Sequence, residues 1–497
     1  MICRISILLI CQLFFSQLIF AQITKESSIK SEGVNTIRSF NNIPLISMPY
    51  FDIEAMIKED ERNKSNPRIR PRFAKVFDVN IDLKSKGILE SVSDSGNIWR
   101  LRIKSTGAYS ISLLFGIFEI PSGAELFIYN KEKNQILGAI TENNNKTSKL
   151  LPIQPIAGDE IVIEYFEPNI VAYSGNLIIE KVFHDYIGII LTDGQYGQAA
   201  NCNVDINCSE GDNWQNEKQS VCRILILGGY ASGFLINNVD NDGTPYVMTA
   251  EHVIGSAYEA SVASFVFNYE SSTCNGSDGS TSQSISSSTL VASSPTPHTD
   301  FALVELSSEP STNYNAYWSG WYKPWTTPDE PVVCIHHPRG DVKKISRDNQ
   351  APTVLNHFWR VDEWAVGTTE TGSSGSPFYD ANHRVVGHQS SISSQQNTCV
   401  NDTAFFGIFS SSYNFGTLSS TRLREWLDPN NNTDDLPGLR YVSDHYYNGI
   451  SSIISGDIVR FNDVSIINSS DITIDYTNKI IIDGSFEIQV GSTLSTE

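Results

Sequence analysis

Gly372-Ser373-Ser374-Gly375-Ser376-Pro377 is the stretch on which the reading of this chain turns, and two upstream segments complement it: Thr249-Ala250-Glu251-His252 and Thr299-Asp300-Phe301-Ala302-Leu303. A serine hydroxyl at its ordinary pKa is a poor nucleophile and needs a base beside it. That base needs a carboxylate to fix its tautomer and to stabilise its protonated form. The three segments supply a nucleophile (Ser374), a base (His252) and an orienting acid (Asp300), in the order His, Asp, Ser. The glycines around Ser374 allow a tight turn, so that the amides of Gly372 and Ser374 can converge as an oxyanion hole. Each segment alone is ordinary: a Ser/Gly-rich surface turn, a histidine after a strand, a carboxylate before one. Their joint occurrence in this order is not.

The surrounding composition sets the context. At 497 residues the chain is too long for one ordinary domain. An apolar run from Ile5 to Phe20, followed by Ala21-Gln22, reads as a secretory signal peptide over residues 1–21. The run is short for a membrane-spanning helix. Six cysteines lie beyond it (Cys202, Cys208, Cys222, Cys274, Cys334 and Cys399), an even number in one stretch, which suggests three disulfides. No Cys-x-x-Cys pair supports a zinc site, and the adjacent His336 and His337 would point in different directions on a strand. No metal and no cofactor are expected.

Charge is unevenly placed. Residues 1–190 are net neutral, and residues 191–497 carry the whole net charge of −21. This argues against nucleic acid or an anionic membrane as partner. It favours solubility outside the cell, or attraction of basic substrates.

Along the chain, residues 22–70 are polar and irregular and lead into Asn66-Pro67-Arg68-Ile69-Arg70-Pro71-Arg72, read as a linker or loose arm. Runs such as Ile98–Ile103, Tyr109–Phe115, Ala124–Tyr129 and Asp159–Phe166 then predict short strands over about 73–180, a β-sandwich. Residues 199–430 hold all the remaining cysteines and the three motifs, again on strand-like runs. One helix is expected from Ser420 to Asp428, with Leu423, Trp426 and Leu427 on one face and Pro429 as its stop. Residues 431–497 read as a small β-module of short strands, compatible with a few turns of a repeat.

The stretch from Cys202 to Pro429 resembles the lysyl endopeptidase family of secreted bacterial serine proteases. The resemblance rests on Cys202-Asn203-Val204-Asp205-Ile206-Asn207-Cys208, the three motifs above, Ile335-His336-His337-Pro338 and Trp426-Leu427-Asp428-Pro429. It implies an all-β, chymotrypsin-like double β-barrel with a C-terminal helix, preceded by a β-sandwich-like propeptide (22–198) and followed by the module. It implies peptide-bond hydrolysis through an acyl-enzyme by His252, Asp300 and Ser374, in a secreted, monomeric precursor acting on proteins or peptides. It further implies Cys202–Cys399 and Cys208–Cys274 bridges. Ala231 and Val253 stand where the family places two further cysteines, so that bridge is missing; Cys222 and Cys334 are left over and are expected to pair as a substitute, because free thiols are uncommon in an exported protein.

The primary pocket departs from the family pattern. A lysine-accepting pocket needs a carboxylate at its floor. Asp402 lies five residues before Gly407 instead of three, Ala404 takes the expected place, and Ser390 stands where the family has a histidine. Asp402, Ser390 and Thr368 are the candidate pocket residues. Ser373 stands where many trypsin-like enzymes carry the Asp that receives a new N-terminus, so activation is expected to proceed by removal of a covering propeptide. The alternative reading is a protease-like binding or adhesive surface protein without turnover. Truncation near residue 430 is expected to leave a protease intact.

Overall fold

The computed structural model describes residues 39–63, 69–92, 95–189, 199–393, 399 and 403–496. The expected signal peptide and Asp402 lie outside them. Among the described residues no helix is long and apolar enough to cross a membrane.

The alternating run at Gly96–Lys104 forms a strand whose apolar positions Ile98, Leu101 and Ile103 are fully buried. It pairs antiparallel with Glu160–Pro168, and Glu125–Asn130 and Ile136–Ile140 extend the sheet. A second sheet runs Ala74–Asp82, Asn176–Asp185, Ser110–Glu119, Leu151–Ala157. Leu101, Ile128 and Ile163 of one sheet and Ile111, Phe115 and Val182 of the other share one apolar cluster, so this region is a sandwich. The arm ahead of it is more structured than its polar composition suggests. Leu45–Ser47 adds a parallel edge strand, and Ile53–Asn63 is a helix.

Two further sheets carry the motifs. The first orders seven strands: Ser284–Ser286, Ser264–Phe267, Val221–Ile226, Gly229–Leu235, Tyr246–Ala250, Phe301–Leu306, Ser288–Ser294. The second includes Lys344–Asp348, Val332–His336, Pro377–Tyr379, Val385–Ile392, Ala404–Ile408 and Phe358–Val361 in that order. Each encloses its own apolar cluster, and a third cluster, with Phe234, Met248, Trp321 and Tyr379, joins the two. These are the two barrels of an all-β, chymotrypsin-like double-barrel fold.

The expected helix at Ser420–Asp428 is shorter than its apolar spacing suggests. A 3₁₀ turn at Ser419–Thr421 is followed by extended backbone at Arg422 (φ −149°, ψ 160°), and only Arg424–Leu427 is helical. Leu423 and Leu427 are nonetheless buried, so packing survives without a continuous helix. A second short helix, Phe409–Asn414, buries Phe409 and Tyr413 beside Trp321.

Residues 439–496 stack Leu439–Asn448, Ser451–Ile467, Asp471–Ile488 and Thr493–Thr496 in parallel, turn upon turn. This coil is not a separate appendage. Leu439 pairs with Trp318, and Leu439 and Ile458 belong to the first barrel's apolar cluster. The Arg440 guanidinium is buried and donates to the Asn315 and Ala316 carbonyls.

Two of the three expected disulfides are present, Cys202–Cys399 and Cys208–Cys274. The expected Cys222–Cys334 bridge is not: both residues are buried free thiols. Cys222 packs in the cluster of the first barrel and Cys334 in that of the second, so their side chains enter different cores.

Candidate active site

His252 lies one residue beyond the strand Tyr246–Ala250, and Asp300 directly precedes Phe301–Leu306. The two strands pair antiparallel with Ala250 opposite Phe301, so the ladder itself sets the two motifs side by side. The Glu251 N–H donates to the Asp300 carbonyl (2.9 Å) and continues the ladder one step beyond the strands. Asp300 has left-handed backbone (φ 57°), a conformation that Asp tolerates better than most residues. Its carboxylate accepts from the His252 backbone N–H at 3.1 Å and lies 2.8 Å from the ring Nδ1. On the other side of the ring, Nε2 lies 2.9 Å from Ser374 Oγ.

Ser374 arrives from the second barrel, on the loop before Pro377–Tyr379, and the first barrel holds that loop in place. The Ser232 N–H donates to the Ser374 carbonyl (3.0 Å), and the Ser232 hydroxyl donates to the Gly372 carbonyl (2.9 Å). Gly372 has φ +96°, and a Cβ there would stand 2.7 Å from the Tyr230 ring. Only glycine fits that turn.

Asp300 is buried, and burial opposes its ionisation. The His252 ring and amide and the Ser390 hydroxyl outweigh it and hold the carboxyl below its usual range. Ser390, expected from the sequence to line the primary pocket, thus also supports the Asp300 carboxylate. Its hydroxyl donates to Asp300 Oδ2 at 2.6 Å, and it also lines the cleft beside Ser374. His388, two residues earlier on the same strand, reaches the Asp300 carbonyl through Nε2 at 3.0 Å. Thr368 is buried, and its carbonyl accepts from the Ser346 hydroxyl. It does not line the small cavity against Ser374.

A buried relay supports the nucleophile loop. The Ser346 hydroxyl donates to Thr368, so His336 Nε2–H donates to Ser346 Oγ (3.0 Å), and His336 Nδ1 accepts from the Ser373 hydroxyl (2.7 Å). Burial, reinforced by Lys344, pushes the His336 pKa down to about 3, which keeps the ring neutral for this role. Ser373 Oγ accepts the Glu370 N–H in turn. The Glu370 carboxylate takes the Arg339 guanidinium (2.7 Å), the Ala200 N–H (2.8 Å) and the Asn203 side-chain amide (2.8 Å). Ser373 therefore stands in a buried hydroxyl–imidazole chain. Its neighbour His337 bonds the Asp341 carbonyl. Among the described residues no group of three or more His, Cys, Asp or Glu side chains is placed to hold a metal ion.

Residues 196–406 match the family model described as lysyl endopeptidase, C-terminal domain. A lysyl endopeptidase of Pseudomonas aeruginosa is 26% identical over 199 residues, covering 36% of this chain and 42% of that protein. The chain thus spans less than half the length of that curated relative. Among solved structures, Rv3671c from M. tuberculosis H37Rv in an inactive form is 17% identical, with a TM-score of 0.27 over 44% of this chain and 93% of that one. The HtrA-type protease AlgW with a tripeptide is 16% identical, with a TM-score of 0.28 over 39% of this chain and 57% of that one. Over residues 196–406 this chain is thus lysyl endopeptidase-like.

Proposed function

We propose that the protein is a secreted serine endopeptidase, made as a precursor whose residues 22–198 are a propeptide. The observation that carries this reading is the continuous chain Asp300–His252–Ser374, with contacts of 2.8 and 2.9 Å, beside a glycine-turned loop. Ser374 Oγ attacks the carbonyl carbon of the scissile bond as its proton passes to His252 Nε2. Asp300 holds the ring with Nδ1–H toward itself and stabilises the imidazolium. The amides of Gly372 and Ser374 receive the oxyanion. As the C–N bond breaks, His252 returns the proton to the leaving amine and an acyl-enzyme remains. Water then attacks through the same base and frees Ser374.

The likeness to lysyl endopeptidases extends the proposal to cleavage after lysine. The apolar leader and the two disulfides support export. The test is a digest of a denatured protein mixture with the wild-type chain beside Ser374→Ala, each with its propeptide verified as removed, the cut bonds being read by mass spectrometry. Cuts are expected only with wild type, and their rate is expected to fall at least about 10⁴-fold in the variant. Cuts after other residues remove the lysine assignment and leave the protease. Equal digestion by both chains overturns the reading.

A further inference from the structure

The arm read as a linker, Ile69-Arg70-Pro71-Arg72, runs through the Ser374 cleft. Ile69 and Pro71 line the same cavity as Ser374, Gln389, Ser390 and Ile392. The space left there is about 20 Å³, room for one water molecule and not for a peptide side chain.

The arm is attached as an added strand. Arg72 bridges antiparallel to Gly229, the Tyr230 N–H donates to the Pro71 carbonyl (3.1 Å), and the Phe73 N–H donates to the Gly228 carbonyl (2.7 Å). Such edge pairing is how an extended peptide docks on a sheet. Gly229 admits it closely, since a Cβ there would meet the Pro71 carbonyl at 2.9 Å and Arg70 Cδ at 3.0 Å.

Charge fixes the two ends. The Arg70 guanidinium pairs with Glu259, on the helix Ala257–Val262 that follows the His252 turn. Arg72 pairs with Asp60 (2.7 Å) and Glu59 (3.2 Å) of the helix Ile53–Asn63. Glu259 is itself preset, since its carboxylate accepts the Gly255 N–H and the Ser256 hydroxyl.

We propose that Ile69–Arg72 is an internal ligand of the substrate path, and that Glu259 is a specificity residue that receives a basic side chain flanking the scissile bond. The arm then blocks the cleft in the uncut chain, and its Arg70 shows what the path accepts. This rests on the protease reading of the same site.

The test uses the full chain and a fluorophosphonate probe that labels an activated serine. Three variants loosen the arm from different sides: Arg70→Ala with Arg72→Ala, Gly229→Ala, and Glu259→Gln. Thermal unfolding of each verifies that it is folded. Labelling of Ser374 is expected at least ten times faster in the folded variants than in wild type. In the Arg70→Ala/Arg72→Ala chain, peptides with Lys or Arg beside the scissile bond are expected to turn over about tenfold faster than their Gln counterparts. Adding Glu259→Gln should erase that preference. Equal labelling of wild type and variants overturns the internal ligand while leaving a protease. A preference untouched by Glu259→Gln overturns the specificity role. No labelling of any chain overturns the protease reading and this one with it.

Discussion

Ser390 shows how a single hydroxyl acts through another group. Its bond to Asp300 is one of three that keep a buried carboxylate ionised, and a hydrogen bond to a charged partner is worth about 1.5–3 kcal/mol. Ser390→Ala is therefore expected to lower kcat about 10- to 100-fold with little change in KM. Because Asp300 then protonates more readily, the acid limb of the kcat–pH profile should move upward in pH. A purely structural role for Ser390 would leave that limb in place. The sequence could not reveal this bond, which spans 90 residues and leaves no local pattern. Ser374, His252 and Asp300 were legible for the opposite reason. Each sits in a short motif whose neighbours are constrained by the same chemistry: a glycine for the turn, a strand before the histidine, a strand after the aspartate.

At the scale of elements, cysteine parity misled where strand geometry decides. Cys222 lies on Val221–Ile226 and Cys334 on Val332–His336, and each is held in the core of its own barrel. Burial pushes the Cys222 thiol up to about 12 and the Cys334 thiol higher still. A thiol reagent is expected to find neither in the native protein and both on unfolding without reductant. Two unreactive sulfurs on unfolding would restore the third bridge.

Elements also set the response to acid. Glu270 follows the strand Ser264–Phe267 and sits between Lys218 (2.8 Å) and Lys343 (3.1 Å). Burial opposes its charge, yet the two ammonium groups win and lower its pKa to about 2. A carboxyl depressed in the folded state stabilises it fully above the unfolded value, about 4.3, and ceases to do so as pH falls toward 2. Denaturant titrations between pH 5 and 2 should show that loss, on the order of 3 kcal/mol. Glu270→Gln should flatten the slope while destabilising the protein at neutral pH, because Lys343 is left buried without its carboxylate.

The whole molecule is more integrated than its composition suggests. Strand spacing made the sandwich and the barrels legible, because half-buried strands alternate. What strands do to one another across long separations is not written in that alternation. The C-terminal coil is the clearest instance. It carries no catalytic motif and reads as dispensable, yet Leu439 and Ile458 complete the first barrel's core and Arg460 donates to the Asp240 and Asn241 carbonyls. Truncation near residue 430 is thus expected to lower the melting temperature sharply or to yield insoluble chain, contrary to the sequence expectation. Calorimetry of the two lengths side by side decides it, and an unchanged transition would make the coil an independent module.

The division of the site between two barrels has a consequence in time. A chain is made from its N-terminus, and domains tend to fold in that order. The arm and the sandwich are complete before the histidine strand, and the nucleophile loop emerges after both. His252 and Asp300 can already be paired, with Ile69–Arg72 laid against Gly228–Tyr230, while Ser374 is still unmade. In that order of synthesis the cover is built first, and the blade is slid in beneath it.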